Sequence, residues 1–181
     1  TGQTGCKPCP AGTRNAFSAR TSCDLCDPGS FFNSTGAVNC TLCAPGSFMP
    51  DQRALACSAC PIGTLSQGWG ALSCTLCTAG QFNNQTGVSA CASCDKGRYQ
   101  SQAGQSACKD CPPGQISTAI GQSACQPCSN QGLYVAFYGH TVCDSCGLGR
   151  YQNQAGQSDC QAWYDQPLLL LFLSIASNSL V

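Results

Sequence analysis

Residues 94–111 open Cys94-Asp95-Lys96-Gly97-Arg98-Tyr99, run through a polar stretch, and close on Gly104-Gln105-Ser106-Ala107-Cys108, with Cys111 three residues further on. Every feature of that stretch recurs along the chain. Nine Cys-x-x-Cys pairs start at Cys6, Cys23, Cys40, Cys57, Cys74, Cys91, Cys108, Cys125 and Cys143, and a solitary Cys160 follows. The step is 17 residues, stretched once to 18. A fixed period of this size means that one small unit is copied and stacked on its neighbours, a quasi-one-dimensional array with its function on the surface and at the ends.

Composition agrees with that reading. The chain has 19 cysteines in 181 residues, above the level at which a disulfide scaffold becomes the leading class. A 17-residue unit cannot bury a core of its own. Cross-links substitute for one, each closing a loop of about 15 residues for about 3 kcal/mol. Disulfides persist outside reducing compartments, so the chain is expected to be secreted, in the extracellular space or at the cell surface. Eight Lys and Arg balance eight Asp without a run of either sign, which argues against nucleic acid as a partner. With no Glu, three Lys, 20 Gly and 10 Pro, helices are disfavoured and turns favoured. The expected fold is a small disulfide-rich repeat array: an elongated rod of short β-hairpins and turns with almost no helix, carrying an apolar C-terminal tail.

Within the unit, three residues after the second cysteine, stands a glycine: Gly12, Gly29, Gly46, Gly63, Gly80, Gly97, Gly114 and Gly149, with Gly132 displaced by the inserted residue. A fixed glycine after Pro-rich residues fits a turn that needs positive φ. Two residues later come Phe31, Phe48, Leu65, Phe82, Tyr99, Ile116, Tyr134 and Tyr151, with Arg14 in the first unit. This apolar ladder is the expected core, packed on the disulfides. A second glycine, four residues before the next cysteine pair, is replaced by Ala19 and Arg53 in two units, so that bend tolerates a side chain.

Two pairing rules fit the cysteines. If the second cysteine of each pair bonds to the first of the next, the bridges are Cys9–Cys23, Cys26–Cys40, Cys43–Cys57, Cys60–Cys74, Cys77–Cys91, Cys94–Cys108, Cys111–Cys125, Cys128–Cys143 and Cys146–Cys160. Only Cys6 is left over, its partner belonging upstream, while Trp163 occupies the place of a further second cysteine. The rival rule joins first to first and second to second across neighbouring pairs, and strands one pair of nine. The first rule is the expectation, and the second stays open because connectivity is not deducible from sequence. Redox-active bonds within each Cys-x-x-Cys are disfavoured, since such sites come singly on an α/β fold. Zinc is disfavoured too: nine pairs do not divide into four-cysteine sites, and His140 is the lone histidine. No cofactor is expected.

The motifs Cys-Ala-Pro-Gly-Ser-Phe at 43–48 and Cys-Pro-Pro-Gly-Gln-Ile at 111–116 resemble the ephrin-receptor-like cysteine-rich repeats, also called GCC2/GCC3 repeats, over about residues 1–163. That family is similar in style to the tumour-necrosis-factor-receptor modules. The resemblance implies an elongated, disulfide-stapled extracellular rod, of a kind found in protist surface proteins and flagellar hairs (mastigonemes). It is specific for fold and compartment rather than for a ligand. The chain opens at Thr1 in mid-repeat, with residues 2–6 matching the end of a unit, so the expected organisation is 1–163 as an array of about nine repeats with an incomplete N-terminal unit, and 164–181 as the tail.

Catalytic material is scarce. There is one His, no Glu, and scattered Asp, with no Gly-x-Ser-x-Gly, P-loop or EF-hand pattern, so no enzyme activity and no catalytic residue are expected. Asp24 and Asp27 are near enough in sequence to share a calcium ion, a weak signal. Three N-glycosylation sequons stand at Asn33-Ser34-Thr35, Asn39-Cys40-Thr41 and Asn84-Gln85-Thr86. Asn33 and Asn84 occupy the same place in the repeat, an expected loop tip, whereas Asn39 adjoins a cysteine expected to be bridged. Covalent N-glycans are therefore expected.

After Pro167 the character changes to Leu168, Leu169, Leu170, Leu171, Phe172, Leu173, Ser174 and Ile175. The run is about half the 20 residues that span a bilayer, so membrane association is not expected, although a removable lipid-anchor signal of this length stays open. Leu168–Ile175 is read as an assembly element that buries itself on copies of the same chain or on other fibre or coat subunits, a truncated membrane-spanning segment being the other reading of the same run. The alternative is a receptor-like ectodomain or stalk that binds a protein ligand, for which the irregular stretch Gly132–Tyr138, with its extra aromatics, is the nearest thing to a contact patch.

Overall fold

A computed structural model describes residues 5–162, and among these there is no helix. Nine antiparallel two-stranded hairpins follow one another along the chain. In each, the first strand is the residue after the turn glycine together with the ladder residue, and the second is the two residues that follow the first cysteine of the next pair, or Cys160 in the last hairpin. Thus β1 (Thr13–Arg14) pairs with β2 (Asp24–Leu25), and β3 (Ser30–Phe31) with β4 (Thr41–Leu42). The same register holds through to Arg150–Tyr151 against Gln161–Ala162. The described residues fall into two compact units. The first runs to Cys94 and adds Gln100–Cys108 and Gly121–Ser123; the second comprises Asp95–Tyr99, Lys109–Ile120 and the residues from Ala124. The expected tail boundary at 163/164 lies outside the described residues.

The turn before each hairpin is where sequence and backbone meet. Gly12 has φ +77°, and the Thr13 amide donates back to the Pro10 carbonyl at 3.2 Å. Positive φ at the third residue of such a turn selects glycine. The Thr13 hydroxyl adds a second bond to the same carbonyl at 2.7 Å, as do Ser30 to Asp27, Ser47 to Ala44 and Thr64 to Pro61.

Repeats are counted from the second cysteine of each pair, with Cys9 opening repeat 1 and Cys146 opening repeat 9. Backbone bonds then join each repeat to the next. In the first unit the turn glycine donates forward, Gly63 to Asn83 at 2.9 Å and Gly80 to Gln100 at 2.7 Å. The second glycine of the next repeat donates backward, Gly87 to Cys60 and Gly104 to Cys77, both at 2.8 Å. The second unit repeats the arrangement with Gly97 to Ser117 at 2.8 Å and Gly139 to Cys111 at 2.9 Å. Two-residue strands are too short to hold alone, so these bonds and the cystines carry the stacking.

The interior differs from the expected one. The largest fully buried side chains are Gln100, Val135 and the cysteines Cys26, Cys43, Cys60, Cys77, Cys94, Cys111 and Cys128. Phe31, Phe48, Leu65, Phe82, Tyr99, Ile116, Tyr134 and Tyr151 are only half-buried, so the ladder flanks the core rather than filling it. A 17-residue layer leaves room at its centre for a cystine and one further side chain no larger than glutamine, and an aromatic ring lies across the edge. The inward position is the residue after the ladder: Ser66, Asn83, Gln100, Ser117, Val135 and Gln152 are all buried there. Their polar atoms are satisfied by backbone of their own loops and, for Asn83, also by the Thr64 carbonyl of the preceding repeat at 3.0 Å. Gln100 donates from Nε2 to the Ala107 carbonyl at 2.7 Å and accepts at Oε1 from the Gln102 amide at 3.1 Å, closing its own loop. Gln152 does the same with Asp159 and Gln154. Among the described residues no buried side-chain nitrogen or oxygen lacks a partner, as burial of polar groups requires.

Candidate functional surface

The nine disulfides join Cys9–Cys23, Cys26–Cys40, Cys43–Cys57, Cys60–Cys74, Cys77–Cys91, Cys94–Cys108, Cys111–Cys125, Cys128–Cys143 and Cys146–Cys160. Each links the second cysteine of one pair to the first of the next across one repeat. The Cα–Cα separations of 5.6 to 6.0 Å lie within the ordinary range for the bond. Cys6 is free and exposed. Among the described residues no three His, Cys, Asp or Glu are gathered as a metal site would need. Asp24 and Asp27 are instead drawn to arginines. Asp24 pairs with Arg20 at 3.2 Å, and Arg20 also stacks over the Phe17 ring at 4.8 Å; Asp27 pairs with Arg14 at 3.6 Å. A calcium ion shared by the two carboxylates has no support in this geometry.

Asn33, Asn39 and Asn84 are all exposed. Asn84 follows the buried Asn83, whose side chain bonds the Gln85 amide at 2.9 Å and carbonyl at 2.7 Å and so ties down the loop that presents the sequon. Asn39 precedes Cys40, which is bridged to Cys26. The expected assembly residues Leu168, Leu169, Leu170, Leu171, Phe172, Leu173 and Ile175 lie outside the described residues.

The irregular repeat 8 shows Phe137 and Tyr138 exposed, with the Phe137 and His140 rings 6.2 Å apart and His140 3.9 Å from Asp144. A larger apolar surface, on the first unit, was not singled out in the sequence reading. Two residues before the first cysteine of the pair, repeats 2, 3 and 4 carry Val38, Leu55 and Leu72, which are 60%, 54% and 54% exposed. The carbonyls just before them, of Ala37, Ala54 and Ala71, accept from Asn15, Phe32 and Met49, so all three side chains leave the stack at one register. Beside this stripe a groove of 540 Å³ is lined by Phe31, Leu42, Pro45, Ala56, Ala59 and Trp69, and Trp69 is 67% exposed. The signal was legible: the residue at the stripe position is Thr21 in repeat 1 and Ser89, Ser106, Ser123, Thr141 and Ser158 in repeats 5 to 9.

Among the described residues no helix is long and apolar enough to cross a membrane. What the hairpins and cystines define is a cysteine-rich module of the extracellular type. The family described as tyrosine-protein kinase ephrin type A/B receptor-like matches residues 29–77 and again 80–121, just over half the chain. The chain belongs to this ephrin-receptor-like family. The matched residues are cysteine-rich repeats and hold neither the Gly-x-Gly-x-x-Gly loop nor the His-Arg-Asp motif on which a protein kinase depends. Comparison with curated proteins finds no match.

Proposed function

We propose that the chain is a structural, non-enzymatic extracellular protein: a glycosylated, disulfide-stapled rod that forms part of a surface coat, hair or fibre and assembles through its C-terminal tail with copies of itself or with other subunits. The observation that supports this most is uniformity. Among the described residues nine hairpins share one register and one cystine each, and the one departure from the period is the single extra residue of repeat 8. A repeat used for its length and surface needs only that its units agree, whereas a catalytic module departs from its neighbours where the chemistry is done.

Electron microscopy of non-reduced protein, against a form truncated after Trp163, tests the proposal. Filaments that disappear on truncation are the expected result, and dispersed single particles in both samples overturn it. Glycan mapping by mass spectrometry is a second check. Asn33 and Asn84 are expected to be occupied, and Asn39 less than either, because Cys40 beside it is cross-linked and its backbone enters a strand.

The receptor-like reading rests on one feature, the exposed Phe137 and Tyr138 in the single lengthened repeat. It requires a ligand whose binding is lost when both aromatics become serine while the disulfides stay intact.

A further inference from the structure

The apolar surface of repeats 2 to 4 has no occupant among the described residues, and it is almost free of charge. Between Asp27 and Asp95 the only charged side chains are Asp51 and Arg53. A stripe of Val38, Leu55 and Leu72, with a groove holding Leu42 and Trp69, thus lies in a nearly neutral stretch. Large apolar side chains gathered on one face of a protein mark a contact. A nearly neutral face also gives a charged partner nothing with which to pair. One segment of this chain has matching chemistry. From Gln166 onward there is no charged side chain, and Leu168–Ile175 is a run of seven large apolar residues broken only by Ser174.

We infer that Leu168–Ile175 of a second copy occupies this surface, its apolar side chains covering the Val38–Leu55–Leu72 stripe and entering the Trp69 groove. The inference rests on the tail-mediated assembly proposed above and names the place where the tail docks. Groove and tail are different surfaces of one chain, so the contact is heterologous: each copy gives a tail and receives one, and it propagates where it does not close into a ring. The groove volume of 540 Å³ falls in the range of apolar pockets that bury compact groups, so it can take apolar side chains of the tail. The exposed stripe beside it supplies the rest of the covered area.

The chain carries its own controls for the test. Serine stands at the stripe position in repeats 5, 6, 7 and 9, so Val38→Ser, Leu55→Ser and Leu72→Ser together leave the stack with residues it already uses. Trp69→Ala likewise installs the residue that repeat 6 has at Ala103. Sedimentation of non-reduced wild type, the triple serine variant, Trp69→Ala and the form truncated after Trp163 is read alongside mass spectrometry confirming nine disulfides in each. Wild type is expected to self-associate, and both surface variants to weaken association by at least about tenfold, as does loss of an interface hot spot. A photo-crosslinker at Leu72, in a mixture of isotopically distinct copies, is expected to capture residues 168–175 of the other copy. If truncation abolishes association but the surface variants associate like wild type, the docking place is overturned and tail-mediated assembly stands. Crosslinks confined to single copies overturn the second copy as occupant. Monomeric wild type, or association that survives truncation, overturns both readings.

Discussion

Removing the central cystine by Cys77→Ala with Cys91→Ala is expected to open repeats 4 to 6 while the array remains oxidised elsewhere, and full reduction is expected to unfold both units. Cys77 is fully buried, and its bond closes a loop with a sequence separation of 14. In the chain-entropy account a loop of that size is worth about 3 kcal/mol, roughly a hundredfold in the opening equilibrium. An ordinary domain would offset such a loss from its core, but here the fully buried side chains are mostly the cysteines themselves. Repeats are coupled through backbone bonds to their neighbours, so the loss extends to them and fades with distance. Hydrogen exchange reads this directly. The Gly63, Gly80 and Gly104 amides, which donate across the affected repeats, are expected to lose protection by about that factor, while Gly12 and Gly29 lose little. Unchanged protection at Gly80 would mean that hairpin stacking, not the cystine, holds the repeat.

Much of this architecture was legible because it is written in every repeat. The glycines at 12, 29, 46, 63, 80, 97, 114, 132 and 149 announce positive φ, and all have it. The structure's nine bonds are the pairs obtained by joining each second cysteine to the next first one, the rule that leaves Cys6 over. Two things could not be read from the period. One was which side chain points inward. Asn83, Gln100 and Gln152 look like loop residues, and only their bonds to nearby backbone show how an amide can be buried without cost in unmet hydrogen bonds. The other was how far the stacking reaches, because a 17-residue repeat is compatible with any rotation between layers. The apolar stripe at Val38, Leu55 and Leu72 was readable as a departure from serine, but whether it was core or surface depended on that rotation. The tail of 164–181, read as an assembly element, lies outside the described residues.

The reach of the stacking explains why one glycine never varies and the other does, and it leads to a sharp contrast between two substitutions. In the first unit, a Cβ built on Gly80 would stand 2.7 Å from the carbonyl carbon of Gly121, two repeats on, and closer still to its oxygen. Gly46 meets Gly87 in the same way, and in the second unit Gly97 meets Gly139. These are backbone atoms tied into the ladder, so they cannot rotate aside. The second glycine is different. A Cβ on Gly87 would meet the Ala59 side chain at 3.6 Å and the Gly46 oxygen at 3.9 Å, both ordinary contacts, and one on Gly36 only the Pro8 side chain at 3.7 Å, while the tightest approach at this position is to the movable Leu76 side chain at Gly104. There, a side chain bears the left-handed backbone alone, as Ala19 and Arg53 do at φ 59° and 61°. That conformation costs an L-residue about 1–2 kcal/mol. Gly80→Ala adds to it a steric overlap relieved only by separating repeats, and is expected to lose more than about 3 kcal/mol, in the range of severe backbone and overpacking lesions. Gly132 provides the control. It has the same φ, +79°, but no described atom lies within 4 Å of its Cβ position, so Gly132→Ala is expected to lose only the conformational term. Guanidinium denaturation of the oxidised variants, followed by hydrogen exchange at the Gly80 and Gly132 amides, separates the two. Equal losses would mean that positive φ alone keeps the glycine, and a large loss confined to Gly80 would mean that glycine is kept so that layers two repeats apart can touch.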